Sequence, residues 1–231
     1  LCDEIVVIDG GSSDRTAEIA TAFGARVFFR SFLSIQAQKE FGRQKCAGEW
    51  ILNLDADETI EPFSSASLGG NCPRGDSPAA YRIPRTTHFQ GKALRFGGPG
   101  RDAPVRLVRR SSAHWPPGGG PHEFLHVDGA VGRFGAAIVH TPVSDAVFLR
   151  GKEQRYGELA ARALVDGGRK YISGEKIWRP AARFLKHAAW HGGIFDGAAG
   201  LRFAMSSARE CGWKYGALEK LSRDGGANGG E

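Results

Sequence analysis

Three carboxylates fall within four residues where an apolar run ends. Residues 50–60 read WILNLDADETI, so that Trp50, Ile51, Leu52 and Leu54 lead into Asp55, Asp57 and Glu58. The apolar run has the length and content of a buried strand, and in an extended chain residues i and i+2 face the same way. On that geometry Asp55 and Asp57 converge on one ligand. Two adjacent carboxylates repel unless a cation or hydrogen-bond donors compensate. A hard divalent cation, Mg²⁺ or Mn²⁺, shared with a diphosphate suits one or two carboxylates plus phosphate oxygens. The plainer alternative is that both aspartates cap the turn after the strand. Asp9 favours the first reading. It ends a second apolar stretch, residues 5–8, and Gly10-Gly11-Ser12-Ser13 after it is turn chemistry. Ligands of open parallel α/β sheets bind beyond the carboxyl ends of the strands.

The elements that must position these carboxylates alternate. Strands are expected over 5–8, 26–29 and 49–54, with helices from Ser13 or Asp14 to about residue 23 and over 36–47, stopped by Gly24 and Gly48. This β-α-β-α-β order predicts a parallel α/β sheet. Residues 64–78 read as a loop. Strands are expected again at 81–85, 105–109 and 136–140, and helices near 148–166, 178–191 and 197–221.

The 231 residues suffice for one sizeable domain with an appendage. Residues 1–147 balance 16 Lys+Arg against 16 Asp+Glu, whereas residues 148–231 carry 15 against 9 and hold the whole net charge of +6. A neutral front and basic back point to an anionic partner for the back. Cys2, Cys46, Cys72 and Cys211 have no CxxC spacing, which argues against a zinc site and offers no disulfide framework. No apolar run reaches the roughly 18 residues that span a bilayer.

Two enzyme classes place Asp-x-Asp after an apolar strand. DADET matches the Asp-x-Asp-x-Thr pattern of haloacid-dehalogenase-like phosphatases, with Asp55 as nucleophile, but no later acidic pair follows. The second resemblance is broader. DEIVVIDGGSSDRTAEIA and AQKEFGRQKCAGEWILNLDADE resemble the second strand-helix unit and the helix-to-DxD segment of family 2 glycosyltransferases. HFQGKALRFGG, VRLVRR, HEFL, VHTP, KEQRYGELAARAL and IFDGAAGLRFA resemble the subgroup that adds a sugar to the lipopolysaccharide inner core. This resemblance covers roughly residues 2–221.

The resemblance implies a GT-A (Rossmann-like), mostly parallel sheet flanked by helices, with a helical C-terminal extension. It implies domains at 1–147 (nucleotide-sugar binding and catalysis), 148–222 (basic helices) and 223–231 (disordered tail). Asp9, with Gly11 in its turn, contacts the uridine. Asp55 contacts ribose or metal-bound water, Asp57 binds the Mg²⁺ or Mn²⁺, and Lys39 adds positive charge near the diphosphate; Glu40 stands where the family often has Asn. Glu123 in the Gly-rich loop is the general base for an inverting transfer. His122 orients Glu123 or binds acceptor. Arg106 binds an acceptor phosphate or carboxylate, or lies at the surface. His140 is expected as a satisfied core histidine.

The expected reaction moves a hexose, glucose, from a UDP-sugar to a lipid-linked saccharide such as lipopolysaccharide inner core, with no nucleic acid as partner. A capsular or polyprenyl-linked acceptor, the phosphatase and a non-catalytic remnant stand as alternatives. On a helix over 178–190, Arg179, Arg183, Lys186 and Trp190 share one face, opposite Trp178, Ala181, Ala182, Leu185, Ala188 and Ala189. The helix either packs on the domain or lies on an anionic membrane. The place expected is the cytoplasm, peripheral on the inner face of a bacterial inner membrane. The family begins one βα unit earlier, with a strand between those ending at Asp9 and Asp55. Without that strand two edges stay unpaired, and the chain as written is expected to be poorly stable or inactive.

Overall fold

A computed structural model of the chain describes residues 2–61, 77–99, 102–117, 124–142 and 146–227. In chain order the elements are β1 (Val6–Asp9), α1 (Thr16–Ala22), β2 (Arg26–Phe29), α2 (Ile35–Lys45), β3 (Trp50–Leu52), β4 (Glu58–Ile60), β5 (Ala80–Arg82), β6 (Arg85–Phe89) and β7 (Lys92–Leu94). There follow β8 (Val105–Arg109), β9 (Ala113–His114), β10 (His126–Val127), β11 (Val131–Arg133), β12 (Ile138–His140), α3 (Ala146–Asp166), α4 (Glu175–Leu185) and α5 (Gly197–Ala227). They divide between two compact units. The first comprises Leu1–Pro84 and Ala103–Ile138, the second Arg85–Asp102 and Val139–Glu231.

In the first unit β1 and β2 pair in parallel, with Val6 opposite Arg26 and Asp9 opposite Phe29. β-Branched side chains suit the pleated strand. The Glu4 carboxylate ties three elements together by accepting from the Ala47 and Gly48 amides at 2.5 and 3.0 Å and from Arg26 Nη1 at 2.9 Å. Ser34 caps α2 by accepting from the Ala37 amide at 3.1 Å. Gly42 lets that helix close on β1: a methyl group there would stand 3.2 Å from Ile8 Cγ1.

The third strand of the expected alternation goes elsewhere. β3 is in a four-stranded sheet of order β11-β5-β8-β3, and among the described residues β2 is the only strand paired with β1. β3 runs antiparallel to β8, with Leu52 opposite Leu107, and β5 is also antiparallel to β8, while β11 and β5 are parallel. The sheets are therefore mixed, which corrects the mostly parallel expectation. Ile83, Leu107, Ala136 and Ile138 form the core, with Trp50, Leu52, Tyr81 and Phe134 packed against it. The rings of Trp50 and Tyr81 lie 5.9 Å apart, those of Tyr81 and Phe134 5.5 Å apart and edge-on.

The second unit is held by helix packing and buried carboxylates. α3 packs on α5 around Ala161, Cys211, Tyr215 and Leu218. Glu153 accepts from Ser206 Oγ at 2.5 Å and from Arg209 through Nε and Nη2 at 2.8 and 2.9 Å. Glu175, at the start of α4, accepts from Arg169 Nη2 at 2.7 Å, Arg179 Nη2 at 3.1 Å and the Ile172 amide at 3.0 Å. Asp196 in the FDG motif accepts from the Arg95 and Phe96 amides at 3.0 and 2.9 Å, locking the end of the β6–β7 hairpin to the turn before α5. The helix expected over 178–191 is α4 followed by a π-helical turn, Lys186–Trp190. Of the stretch expected as a tail, residues 223–227 continue α5 and 228–231 lie outside the described residues.

The glycines of IFDGAAG explain themselves. A Cβ on Gly200 would fall 1.9 Å from the Gly193 carbonyl oxygen. Gly200→Ala must push that turn away, at a cost of about 1–3 kcal/mol. Gly216 lies in the same helix with nothing within 4 Å of its Cβ position, so Gly216→Ala should stabilise by about 0.5–1 kcal/mol. Thermal melting of the two variants should move in opposite directions; a shared sign would show that the close approach does not exist.

Candidate functional site

The carboxylates after β3 are held by cations from two other elements. Asp55 receives Lys39 Nζ of α2 on Oδ1 at 2.8 Å and Arg106 Nη2 of β8 on Oδ2 at 2.5 Å. The same Arg106 nitrogen donates to Glu58 Oε1 at 2.6 Å, and Glu58 Oε2 accepts the Asp55 amide at 3.1 Å. The Asn53 side-chain oxygen, with its amide turned as its neighbours require, accepts from Arg106 Nη1 at 3.2 Å and Lys39 Nζ at 3.1 Å. The backbone adds a bond from the Asn53 amide to the Arg106 carbonyl at 2.8 Å, continuing the β3–β8 ladder.

Arg106 is 2% exposed and the Glu58 side chain 0%. Arg106 therefore has no surface role, and its head points at Asp55 and Glu58. Burying charges is tolerable only with such pairing. Burial of Asp55 works against its ionisation, but the charges of Lys39 and Arg106 outweigh it and hold the carboxyl below the ordinary aspartate value.

Residues 55–58 are not extended. The Glu58 amide donates to the Asp55 carbonyl at 3.0 Å, closing a turn. The convergence of Asp55 and Asp57 expected from i, i+2 spacing thus does not follow, because Glu58 folds back onto Arg106. Asp57 is half-buried within the turn.

Asp9 stands apart from this network. Its Oδ1 accepts from the Gly11 and Ser12 amides at 3.3 and 3.0 Å and from Ser12 Oγ at 2.6 Å. Those bonds, the Ser12 hydroxyl foremost, lower its pKa. The turn needs φ = +106° at Gly11, a conformation that favours glycine. Glu40 accepts from Arg43 Nη2 at 2.6 Å and from the Trp115 amide at 3.1 Å, fixing α2, and with it Lys39, to the chain after β9. His122 and Glu123, expected as acceptor ligand and general base, lie outside the described residues, as does Cys72. Lys39, Asp55 and Arg106 are thus brought together. Glu58 and Asn53 complete their network, and sequence reasoning gave them no role, although Glu58 is part of the carboxylate run that drew attention to the site.

A family model described as "Glycosyl transferase family 2" matches residues 2–64, which contain the β1 turn, α2 and the carboxylate turn. The chain is a glycosyltransferase that resembles family 2 and matches its model over residues 2–64. The match decides between the two classes that place Asp-x-Asp after an apolar strand, and with it goes the GT-A fold class. The transferase is 27% identical over 215 residues to "Lipopolysaccharide core biosynthesis glycosyltransferase LpsC" of Rhizobium meliloti (strain 1021), covering 90% of this chain and 79% of that protein. It is 40% identical over 60 residues to an uncharacterised glycosyltransferase of Rickettsia typhi and 42% identical over 60 residues to one of Rickettsia bellii. Those matches cover 26% of this chain and only 20% of each relative.

Removing one partner of the buried cluster should be costly. Arg106→Met takes its guanidinium partner from the buried Glu58 carboxylate, and chemical denaturation should show a loss of about 3–5 kcal/mol. The Asp55 carboxyl is depressed on folding, so the unfolded chain binds the proton more readily. Its contribution is in place above the ordinary aspartate value of 3.8 and is lost as pH falls through the lower folded value. Denaturation midpoints of the wild type and Asp55→Asn should therefore converge as pH falls through that window. A constant gap would mean that Asp55 is not ion-paired.

Proposed function

We propose that this transferase moves a hexose, glucose, from a UDP-sugar to a lipid-linked saccharide of the lipopolysaccharide inner-core kind, with inversion at the anomeric carbon. The observation that carries the donor half is the Asp55–Glu58 turn held by Lys39 and Arg106. The acceptor half is supported by similarity along 90% of the chain to a protein named for lipopolysaccharide core biosynthesis.

Each residue has a stated task in this reading. Asp9 and Gly11 shape the turn that meets uridine. Asp55 has both carboxylate oxygens engaged by cations, so it suits orienting Lys39 and contacting ribose rather than ligating metal. Arg106 acts as a positioning residue that holds Asp55, in place of the acceptor contact expected for it. Asp57 is the carboxylate of the turn that fits a divalent cation. Among the described residues no three His, Cys, Asp or Glu converge as a self-sufficient cation site. A cation at Asp57 accordingly takes most of its ligands from phosphate oxygens and water. When bound, Mg²⁺ or Mn²⁺ neutralises charge on the departing diphosphate. Glu123 accepts the proton of the acceptor hydroxyl as its oxygen attacks the anomeric carbon and the bond to UDP breaks, and His122 orients Glu123 or the acceptor.

A lipid-linked acceptor calls for a protein that reaches the membrane surface. No described helix is long and apolar enough to cross one. The stretch from α4 onward instead exposes large apolar side chains, with Trp190 86% and Phe195 77% accessible and Ile177, Leu185 and Ile194 also exposed. The apolar face of α4 is therefore not covered by packing, and exposed Arg183 and Lys186 flank it. Aromatic side chains beside cations suit an anionic bilayer interface. This surface supports the reading of a peripheral protein at the cytoplasmic face of the inner membrane.

Calorimetric titration of UDP should show binding with Mn²⁺ that EDTA and Asp57→Ala each abolish, and Glu123→Gln should lower turnover about 100- to 10,000-fold. A folded protein that ignores UDP under all conditions refutes the donor reading. The double variant Trp190→Ser, Phe195→Ser should co-sediment far less with phosphatidylglycerol vesicles than the wild type does. Equal sedimentation of the two proteins would remove this surface from the account.

A further inference from the structure

The second unit has a solvent-open cavity of about 340 Å³ that the proposed donor chemistry does not use. Its floor is apolar. The rings of Phe89 and Phe203 meet edge-on at 5.7 Å, and Leu149 packs with them. Its walls are polar but uncharged or charge-balanced. Thr87, 3% exposed, has its hydroxyl 3.4 Å from His140 Nδ1. His187 Nδ1 lies 2.7 Å from the Gly97 carbonyl oxygen and edge-on to Phe203 at 5.6 Å. A carbonyl only accepts, so Nδ1 carries the proton and Nε2 keeps a lone pair. Burial lowers the His187 pKa, against the opposing Gly97 bond, and keeps the ring neutral at pH 7. Arg85 is ion-paired with Asp102 and Glu153 with Arg209, and the lining also holds one further cation, Lys152, and one further carboxylate, Glu210.

Each feature excludes a class of ligand. A phosphate or carboxylate site needs surplus cations, and here the charges cancel. Ser206 Oγ already donates to Glu153 and Thr87 Oγ faces His140, so a hydrocarbon would leave unused only the remaining hydrogen-bonding capacity of these hydroxyls and the His187 Nε2 lone pair. A sugar ring has apolar C–H faces and a rim of hydroxyls that both donate and accept. Hydroxyl side chains and the His187 imidazole above an aromatic floor match both halves of that chemistry, and the volume is that of an ordinary small-molecule pocket.

We propose that this cavity is a subsite for one neutral sugar ring, with Phe89 and Phe203 under the ring and Thr87, His187 and Ser206 reading its hydroxyls. That the ring belongs to the acceptor rests on the transferase reading above; that a sugar binds here does not. Saturation-transfer NMR on the full chain, without any nucleotide, would test it with the methyl glycosides of glucose, galactose and mannose, and with galacturonate and inorganic phosphate as charged comparisons. At least one methyl hexoside should bind. Thr87→Val keeps the side-chain shape and loses the hydroxyl, and His187→Phe keeps the ring and loses both nitrogens. Each should weaken binding about tenfold while leaving the UDP–Mn²⁺ titration unchanged. Melting curves would confirm folding, and the isosteric Thr87→Val carries the test if His187→Phe does not fold. No hexoside binding by folded wild type, preference for the charged comparisons, or binding unaffected by Thr87→Val would overturn the proposal. Hexoside binding without UDP binding would overturn the donor reading and leave the subsite standing; the reverse result would do the opposite.

Discussion

A buried guanidinium governs the first unit. Arg106 sits in β8 between Val105 and Leu107, and its side chain is all but sealed from water. A charge in that position must be matched by carboxylates or the strand cannot stay buried. Both carboxylates come from the six residues after β3, and the β3–β8 register delivers them by setting Leu52 opposite Leu107. The bond from the Asn53 amide to the Arg106 carbonyl extends that register by one step. The turn at 55–58 is a consequence, because Glu58 reaches the guanidinium only if the chain reverses. Lys39 joins from α2, whose own placement depends on Gly42 against β1 and on Glu40 against the Trp115 backbone. The geometry of the candidate site is thus the pairing requirement of one arginine, propagated through a strand register and a helix.

The second unit obeys the same rule with different residues. Glu153 and Glu175 are buried, and each is met by arginine. Arg169, Arg179 and Arg209 are therefore structural, and Lys176 is paired with Glu219 at 2.8 Å. The basic surplus visible in the sequence separates into cations that neutralise interior acids and cations, such as Arg183 and Lys186, that stay at the surface beside uncovered aromatic side chains.

Much of the first unit was legible in the sequence. The β2 span, the α2 helix and the β8 span follow from apolar, β-branched runs and the Gly48 stop, and the carboxylate run falls in the turn that Lys39 and Arg106 hold. What escaped was long-range. Nothing local tells a surface arginine in VRLVRR from a buried one; that depends on which acids lie across a strand pair. Nor does apolar content reveal that β3 pairs antiparallel with a strand 50 residues on, which made the sheets mixed. Short strands such as β4, β6 and β7 carry charged and polar residues that weaken the alternation signal. The exposed apolar face of α4 was visible as an amphipathic pattern, but whether packing covers it is a property of the folded unit.

The Asp196 bonds to the Arg95 and Phe96 amides span about a hundred residues of chain. The strip Arg85–Asp102 belongs to a unit whose remainder begins only at Val139. During synthesis the β6–β7 hairpin leaves the ribosome long before its anchor exists. At synthesis rates of about 5–20 residues per second that wait is about 5–20 s. In that interval Phe89 and Leu94, which end up in the core with Ala199 and Phe203, have no helix to cover them. The order of events along the chain therefore makes the second unit late to close and leaves its early strands uncovered in the meantime.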